Sequence, residues 1–450
     1  MRHLVIALFL TLAACSERPA PPPAAAPVSP APAVHGAGPA FVEDDFAAAV
    51  AAAKANGKVV FVDAWAPWCH TCLSMQRDVL STPTLAAYAN RVVFVAIDTD
   101  RPENNAFLLR FPVKLWPTFF VIGADGRVLG VRPGSMDLIE TTQFLDDAIR
   151  SSREAVKGGP ERKLIDGHAA FANADVVGAF QHYEAASAVA WPRRTEAILG
   201  AMRALSTSKD HAGCVRFGTA HLRDVERGGA PGDLAAGLLS CSSRLGDKAL
   251  VDSTRLLVRD RLIELTNDAP PGSAVDDRAD VLATLADVSD ALGDKAAATA
   301  AHTTRLKLLK DDAAKATTPK QAQVHDYARI SSLMALGRGD EAVALLQQRV
   351  MELPDDYEPW ARLASTLFKL ERPGLAQSAV EQAIRLSYGT RRLRYRLLAA
   401  DIAQQNHDIA TERAALQALV QDAATLPPAL ADQTTTDAAR TRLVALPAAR

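Results

Sequence analysis

The sequence predicts two architectures in tandem: an α/β unit with a mixed central sheet flanked by helices over residues 41–150, then an all-α helical solenoid over 160–425. Three observations carry this. The β-branched runs KVVFVDA (58–64) and VVFVAID (92–98) read as buried strands separated by helix-length segments. The strand signal disappears after Gly158-Gly159-Pro160. Beyond it, alanine-rich segments recur with a 34-residue period, as expected of helix pairs that bury their faces only against neighbours.

Composition agrees. A chain of 450 residues, 48% of them apolar, has room for two or more cores of ordinary size. Aromatic residues are scarce at 6%, which favours close-packed helices over a β-sandwich. The net charge of −2 lacks the basic field that a nucleic-acid binder needs.

The N-terminus comes first. Met1-Arg2-His3 is a basic start, and Leu4 to Leu12 is an apolar run too short to span a bilayer. It ends in Leu12-Ala13-Ala14-Cys15, which resembles the lipobox of bacterial lipoprotein signal peptides. That resemblance implies a leader over 1–15 with Cys15 as the acylated residue, and Ser16 after it implies the outer membrane. An ordinary secretory signal with a chance cysteine is the other reading. Residues 16–40 are rich in proline and alanine and build no core. At ~3.1 Å per residue of polyproline II, a stretch of this length reaches roughly 75 Å, so it reads as a stalk.

Within 41–150, Asp44 to Asn56 suits a helix stopped by Gly57, and residues 58–64 a buried strand. The strand runs into Trp65-Ala66-Pro67-Trp68-Cys69-His70-Thr71-Cys72, followed by the helical LSMQRDVL. A CxxC at a helix N-terminus has a chemical consequence. The helix dipole and free N–H groups stabilise the Cys69 thiolate and make it the attacking sulfur. Cys72 lies one turn later, in reach to resolve a mixed disulfide. Strand 92–98, helix 103–111, strands 118–122 and 128–131 around the turn Ala124-Asp125-Gly126-Arg127, and helix 137–150 complete a β-α-β-α-β-β-α order.

Together these segments resemble the thioredoxin family, and within it the C-terminal domain of the transmembrane thiol:disulfide interchange reductase. The matching stretches are VVFVDAWAPWCHTC, LSTPTL and LLRFPVKLWPTFFVIGADG. The resemblance implies Cys69 as nucleophile, Cys72 as resolving cysteine, Asp63 as the buried acid that exchanges protons with Cys72, and Pro117 as a cis-proline beside the disulfide. Trp68, His70, Trp116 and Thr118 then join Pro117 along the substrate groove. There are departures. Phe94 stands where many relatives place a lysine beside the buried acid, and Trp116 is bulky enough to narrow the groove. His70 has two opposed readings: a cation that favours the thiolate, or an exposed neutral ring that does little.

The remaining cysteines and the solenoid complete the reading. No second CxxC is present for a zinc site, and Leu73 after Cys72 rules out haem attachment, so no metal set or cofactor is read. Cys214 and Cys241 are either a structural disulfide between two helices or two buried reduced cysteines. Over 326–422 the positions Leu333, Ala342, Leu346 and Pro354, then Trp360, Leu363, Ala364, Leu367, Ala376, Val380 and Ala383, then Leu397, Ala410 and Ala414, resemble the tetratricopeptide repeat. Residues 174–186 and 285–302 look like degenerate copies. Residues 268–280 and 315–323 read as long loops, and 426–450 as a partly frayed tail. The arginines of Arg391-Arg392-Leu393-Arg394-Tyr395-Arg396 read as a solvated face or as a groove for an acidic peptide.

The functional expectation is a periplasmic, lipid-anchored thiol:disulfide oxidoreductase, tilted by the resemblance toward reduction. Its partners would be client proteins with disulfides or thiols, an inner-membrane thiol donor, and a protein held by the repeats, with no nucleic acid and no membrane contact beyond the anchor. Two alternatives stand beside it. One is a scaffold or assembly lipoprotein whose repeats carry the function; the other is a disulfide-forming oxidase.

Overall fold

The computed structural model describes residues 37–153 and 157–447. The expected leader, Cys15 and nearly all of the 16–40 stretch lie outside the described residues. None of the described helices is long and apolar enough to cross a membrane.

The α/β unit is a five-stranded mixed sheet in the order β1-β3-β2-β4-β5, with β1 at Phe41–Glu43, β2 at Val59–Trp65, β3 at Val92–Asp98, β4 at Thr118–Ile122 and β5 at Val128–Pro133. Strand β2 pairs parallel with β3 and antiparallel with β4. Its side chains alternate between two dry layers. Val59 and Phe61 face a core with Leu80, Phe144 and Leu145; Val60, Val62 and Ala64 face Ala49, Ala53, Phe107 and Phe111. Burial on both faces is why the strand reads as an apolar run broken only by Asp63. Three-residue β1 carries too little pattern to be legible, and the order begins with a strand that the sequence does not announce.

Helix α1 (Phe46–Asn56) starts where Asp45 accepts the Ala48 N–H at 2.8 Å and ends at Gly57, whose φ of 63° is left-handed. Helix α2 (His70–Met75) begins inside the CxxC, with a π-helical turn over Gln76–Leu80 after it, and α3 is the short Pro83–Ala86. Helix α4 (Asn105–Arg110) and α5 (Leu138–Arg153) cover opposite faces of the sheet.

Sixteen further helices follow among the described residues, ending with the helix Gln433–Ala445. Over 326–424 the helices follow as α15 (Asp326–Ala335) and α16 (Gly339–Glu352), α17 (Tyr357–Lys369) and α18 (Pro373–Leu386), and α19 (Gly389–Gln405) and α20 (Ile409–Ala424). Leu333, Ala342, Leu346, Leu363, Ala364, Leu367, Ala376, Val380 and Ala383 are all buried in one core. The small residues let paired helices approach closely while leucines fill the gaps.

Four expectations are corrected. The third pair slips out of register: α20 begins 36 residues after α18, not 34. Ala410 and Ala414 are therefore exposed, and Glu412, Ala415 and Leu416 point inward. The stretch 268–280 is only partly loop, because Asp277 accepts the Ala274 N–H at 2.8 Å and starts α12 (Val275–Ala291). Within 315–323, Thr318 caps a short helix, α14 (Pro319–Gln323), with proline at its first turn. The region expected to fray carries α21 (Gln433–Ala445), capped by Asp432 and tied down by Arg442, which bonds Asp401 and Glu412 at 2.6 Å each.

Candidate active site

The end of β2 delivers Cys69 to the N-cap position of α2. There its sulfur accepts the Cys72 N–H at 3.0 Å, and the two cysteines are disulfide-bonded with Cα atoms 5.2 Å apart. A sulfur at a helix N-terminus with a backbone N–H aimed at it is stabilised as thiolate after reduction. Asp63, 1% exposed in the middle of β2, receives the Gln76 side-chain amide at 3.2 Å. Gln76, the first residue of the π turn, is a site residue that the sequence reading missed, a glutamine 13 positions after Asp63 carrying no local signal of the contact. Phe94 lies in an aromatic row with Phe41 and Phe61.

The Trp116–Pro117 peptide bond is cis, and the Pro117 carbonyl accepts the Gly134 N–H at 2.9 Å. Trp116 turns its indole N–H to the Thr99 hydroxyl at 2.7 Å and packs on Trp68 with ring centroids 5.1 Å apart. Thr118 is buried, and its hydroxyl donates to the Leu115 carbonyl at 2.7 Å. It braces the turn before β4 instead of lining a groove.

The groove itself is not open. The helical body closes over the CxxC face, leaving Cys69 5% and Cys72 0% exposed. Arg362 of α17 donates to the Trp68 carbonyl at 3.0 Å, and the Arg391 guanidinium lies 4.4 Å over the Trp68 ring. Arg391 also sits 3.7 Å from the buried Glu358. Three of the four arginines of the basic cluster are engaged within the chain, Arg391 on Trp68, Arg392 on the Ser387 carbonyl and Arg396 with Asp422, while Arg394 is exposed.

Beside Trp68 lies a seam of buried acids. Asp100 accepts the Trp68 indole N–H at 2.7 Å and the Tyr357 hydroxyl at 3.4 Å; Asp98 accepts from Tyr388. Burial pushes Asp100 up to about 6. Burial, with the neighbouring Asp100 charge, pushes Asp98 up to about 8. Gly389, at the start of α19 with a φ of 56°, abuts the Asp100 carbonyl so closely that a Cβ would overlap it.

On the other side of the disulfide, α12 contributes Asp276 and Asp280, whose oxygens stand 3.9 and 3.4 Å from His70 Nε2. Burial disfavours the imidazolium, but these two carboxylates outweigh it and raise the His70 pKa. Of the two readings of His70, the exposed neutral ring does not describe this packing. Ser135, next to Gly134, donates to Asp277 at 2.9 Å, and Arg77 pairs with Asp312 at 3.0 Å. Cys214 and Cys241 are disulfide-bonded between α9 (His211–His221) and α10 (Ala230–Ser242) in a separate apolar core.

Comparison with known proteins follows this geometry. A thioredoxin-like family model matches residues 42–124. The thiol:disulfide interchange protein DsbD 2 of Pseudomonas aeruginosa is 33% identical over 80 residues, 17% of this chain and 14% of that protein. A thioredoxin H-type of Oryza sativa subsp. indica is 34% identical over 96 residues, 20% of this chain and 72% of that protein. The chain spans less than a fifth of the length of the interchange proteins and the disulfide isomerase it matches. Among solved structures, a tetratricopeptide repeat protein from Parabacteroides merdae is similar at a TM-score of 0.40 and 12% identity, covering 62% of this chain and 98% of that one. Through its α/β unit, the chain belongs to the thioredoxin family.

Proposed function

We propose that the protein is a thiol:disulfide oxidoreductase of the bacterial periplasm, anchored through Cys15 and working as a reductase. The observation that carries the reading is the Cys69–Cys72 disulfide at the α2 N-terminus, with the Cys72 N–H on the Cys69 sulfur and cis-Pro117 in the same unit. In the reduced protein, the Cys69 thiolate attacks one sulfur of a client disulfide. One client thiolate leaves and a mixed disulfide forms. The Cys72 thiolate then attacks the Cys69 sulfur, releasing the second client thiol and closing the Cys69–Cys72 disulfide. Asp63 exchanges the proton that Cys72 gives up. Two electrons pass to the client, so a membrane thiol donor must return two electrons and two protons to the pair.

The repeats' inner surface against Trp68 supports a body whose first partner is the redox unit itself, with client contact following its displacement. The test is trapping: Cys72→Ser in the full chain accumulates mixed disulfides with envelope proteins, and Cys69→Ser does not. Absence of any trapped client, with an unchanged phenotype for Cys69→Ser, would instead favour a scaffold. The reduction potential then separates directions, since a value near ~−270 mV marks a reductase and one near ~−120 mV a disulfide donor.

A further inference from the structure

We infer that His70, Asp276 and Asp280 form a divalent-cation site that bridges the redox motif and the helical body. The ligand atoms all lie within 4.8 Å of one another. Two ligands at the usual ~2.1 Å from Zn²⁺ in tetrahedral geometry stand roughly 3.4 Å apart, the separation His70 and Asp280 already have, while the widest pair closes by up to about 1.4 Å to take an ion. Asp276 and Asp280 are four residues apart in α12 and project from one face of it.

A second observation points to a ligand. Asp276 is 2% exposed, yet neither of its carboxylate oxygens has a hydrogen-bond partner within 3.5 Å, the Thr71 hydroxyl acting on it only as a weaker donor. A buried carboxylate with so little donor support either takes up a proton or is met by a cation. The surroundings also hold the other two ligands in place. Tyr327 stacks on the His70 ring with centroids 5.3 Å apart, fixing its plane. Arg305 takes Asp280 Oδ1 at 3.5 Å and leaves Oδ2 toward His70. Such outer contacts orient metal ligands in established sites. Asp276 also lines a cavity of about 390 Å³ with Thr71, Ser74, Asp78 and Met136, which gives an ion a path in and room for waters to complete its shell. One imidazole and two carboxylates suit a first-row divalent cation.

An ion there ties the residue after Cys69 to α12 and holds the cover closed over the disulfide. The test uses the oxidised full chain, in which Cys69 and Cys72 are bonded and cannot ligate, so it stands apart from exchange activity. Titration with Zn²⁺ by calorimetry and elemental analysis is expected to give one ion per chain. Affinity falls at least tenfold in Asp276→Asn and in Asp280→Asn, and the site persists in a Cys69→Ser/Cys72→Ser chain. Bound Zn²⁺ also slows hydrogen exchange across residues 70–75 and 275–281 in the wild type. Absence of stoichiometric Zn²⁺ on the wild-type chain overturns the inference and leaves a plain His–carboxylate ion pair. Equal affinity in both variants, each checked for native helical content, overturns it as well.

Discussion

The two disulfides are alike in burial and differ in almost everything else. Cys69–Cys72 sits at a helix N-terminus with a backbone N–H on sulfur, and His70, Asp276 and Asp280 crowd beside it. Cys214–Cys241 joins two helices in an apolar core with Leu234, Leu238 and Val258, where the Met202 sulfur lies 4.0 Å from the Cys214 sulfur. Burial alone therefore does not separate a working disulfide from a structural one. The electrostatic surroundings do, because exchange needs a stabilised thiolate, and an apolar core penalises one.

The sharpest way to break the comparison is to remove one cysteine from each pair. Cys69→Ser is expected to lower insulin-disulfide reduction by roughly a thousandfold or more, with thermal stability little changed, because the attacking sulfur is gone. Cys214→Ser is expected to leave that rate within a factor of two. It should cost about 3–4 kcal/mol of the helical body's stability, the loop-closure effect of a 27-residue separation. Equal losses of activity in both variants would mean that electrons pass through both pairs. A graded titration with dithiothreitol, read by mass spectrometry of alkylated thiols, is expected to open Cys69–Cys72 while Cys214–Cys241 stays bonded.

The cover over the redox pair is tested next. Gly389→Ala and Gly57→Ala place a side chain on similar left-handed backbone, with φ values of 56° and 63°, at a cost of about 1–2 kcal/mol each. Only at Gly389 does the added Cβ strike the Asp100 carbonyl; at Gly57 it meets open space. Alkylation of Cys69 in the reduced chain is expected to quicken about tenfold in Gly389→Ala and not in Gly57→Ala. Similar rates for the two would show that the contact does not hold the cover.

The smallest effect is pH. Asp98 at about 8 and Asp100 at about 6 are raised by burial above their ordinary value near 4, so the closed seam binds more protons than the open one. Their contribution to closure is full below about pH 4 and is lost as pH rises through 6 and then 8. Hydrogen exchange of residues 98–101, corrected for its intrinsic pH dependence, should speed up between pH 6 and 8.5. Asp98→Asn should flatten the upper part of that change. A wild-type profile that slows with rising pH would reverse the assignment.

Much of this was written in local pattern. The runs VVFVDA and VVFVAID determine β2 and β3 because strands buried on both faces are apolar along most of their length, Asp63 and Asp98 being the exceptions. The CxxC placed Cys69 at a helix start through its immediate neighbours alone, and the resemblance to the thioredoxin family implied the cis-proline at Pro117. The period of 34 located the helix pairs whose buried small residues repeat. Where a pair lengthened by two residues, as before α20, the period misled, because packing follows helix starts and not residue counts. Gln76, Asp276, Arg391 and Gly389 belong to the other class. Each lies far from Cys69 in the chain or on a distorted turn, and a glutamine, an aspartate, an arginine and a glycine on helices announce nothing by type. The sequence by itself determined the two architectures and the reacting sulfurs, since both depend on contacts within a few residues. Only the tertiary structure decided that the helical body lies on the redox pair, because that depends on long-range contacts such as Trp68 with Arg391 and His70 with Asp280, which no local pattern encodes.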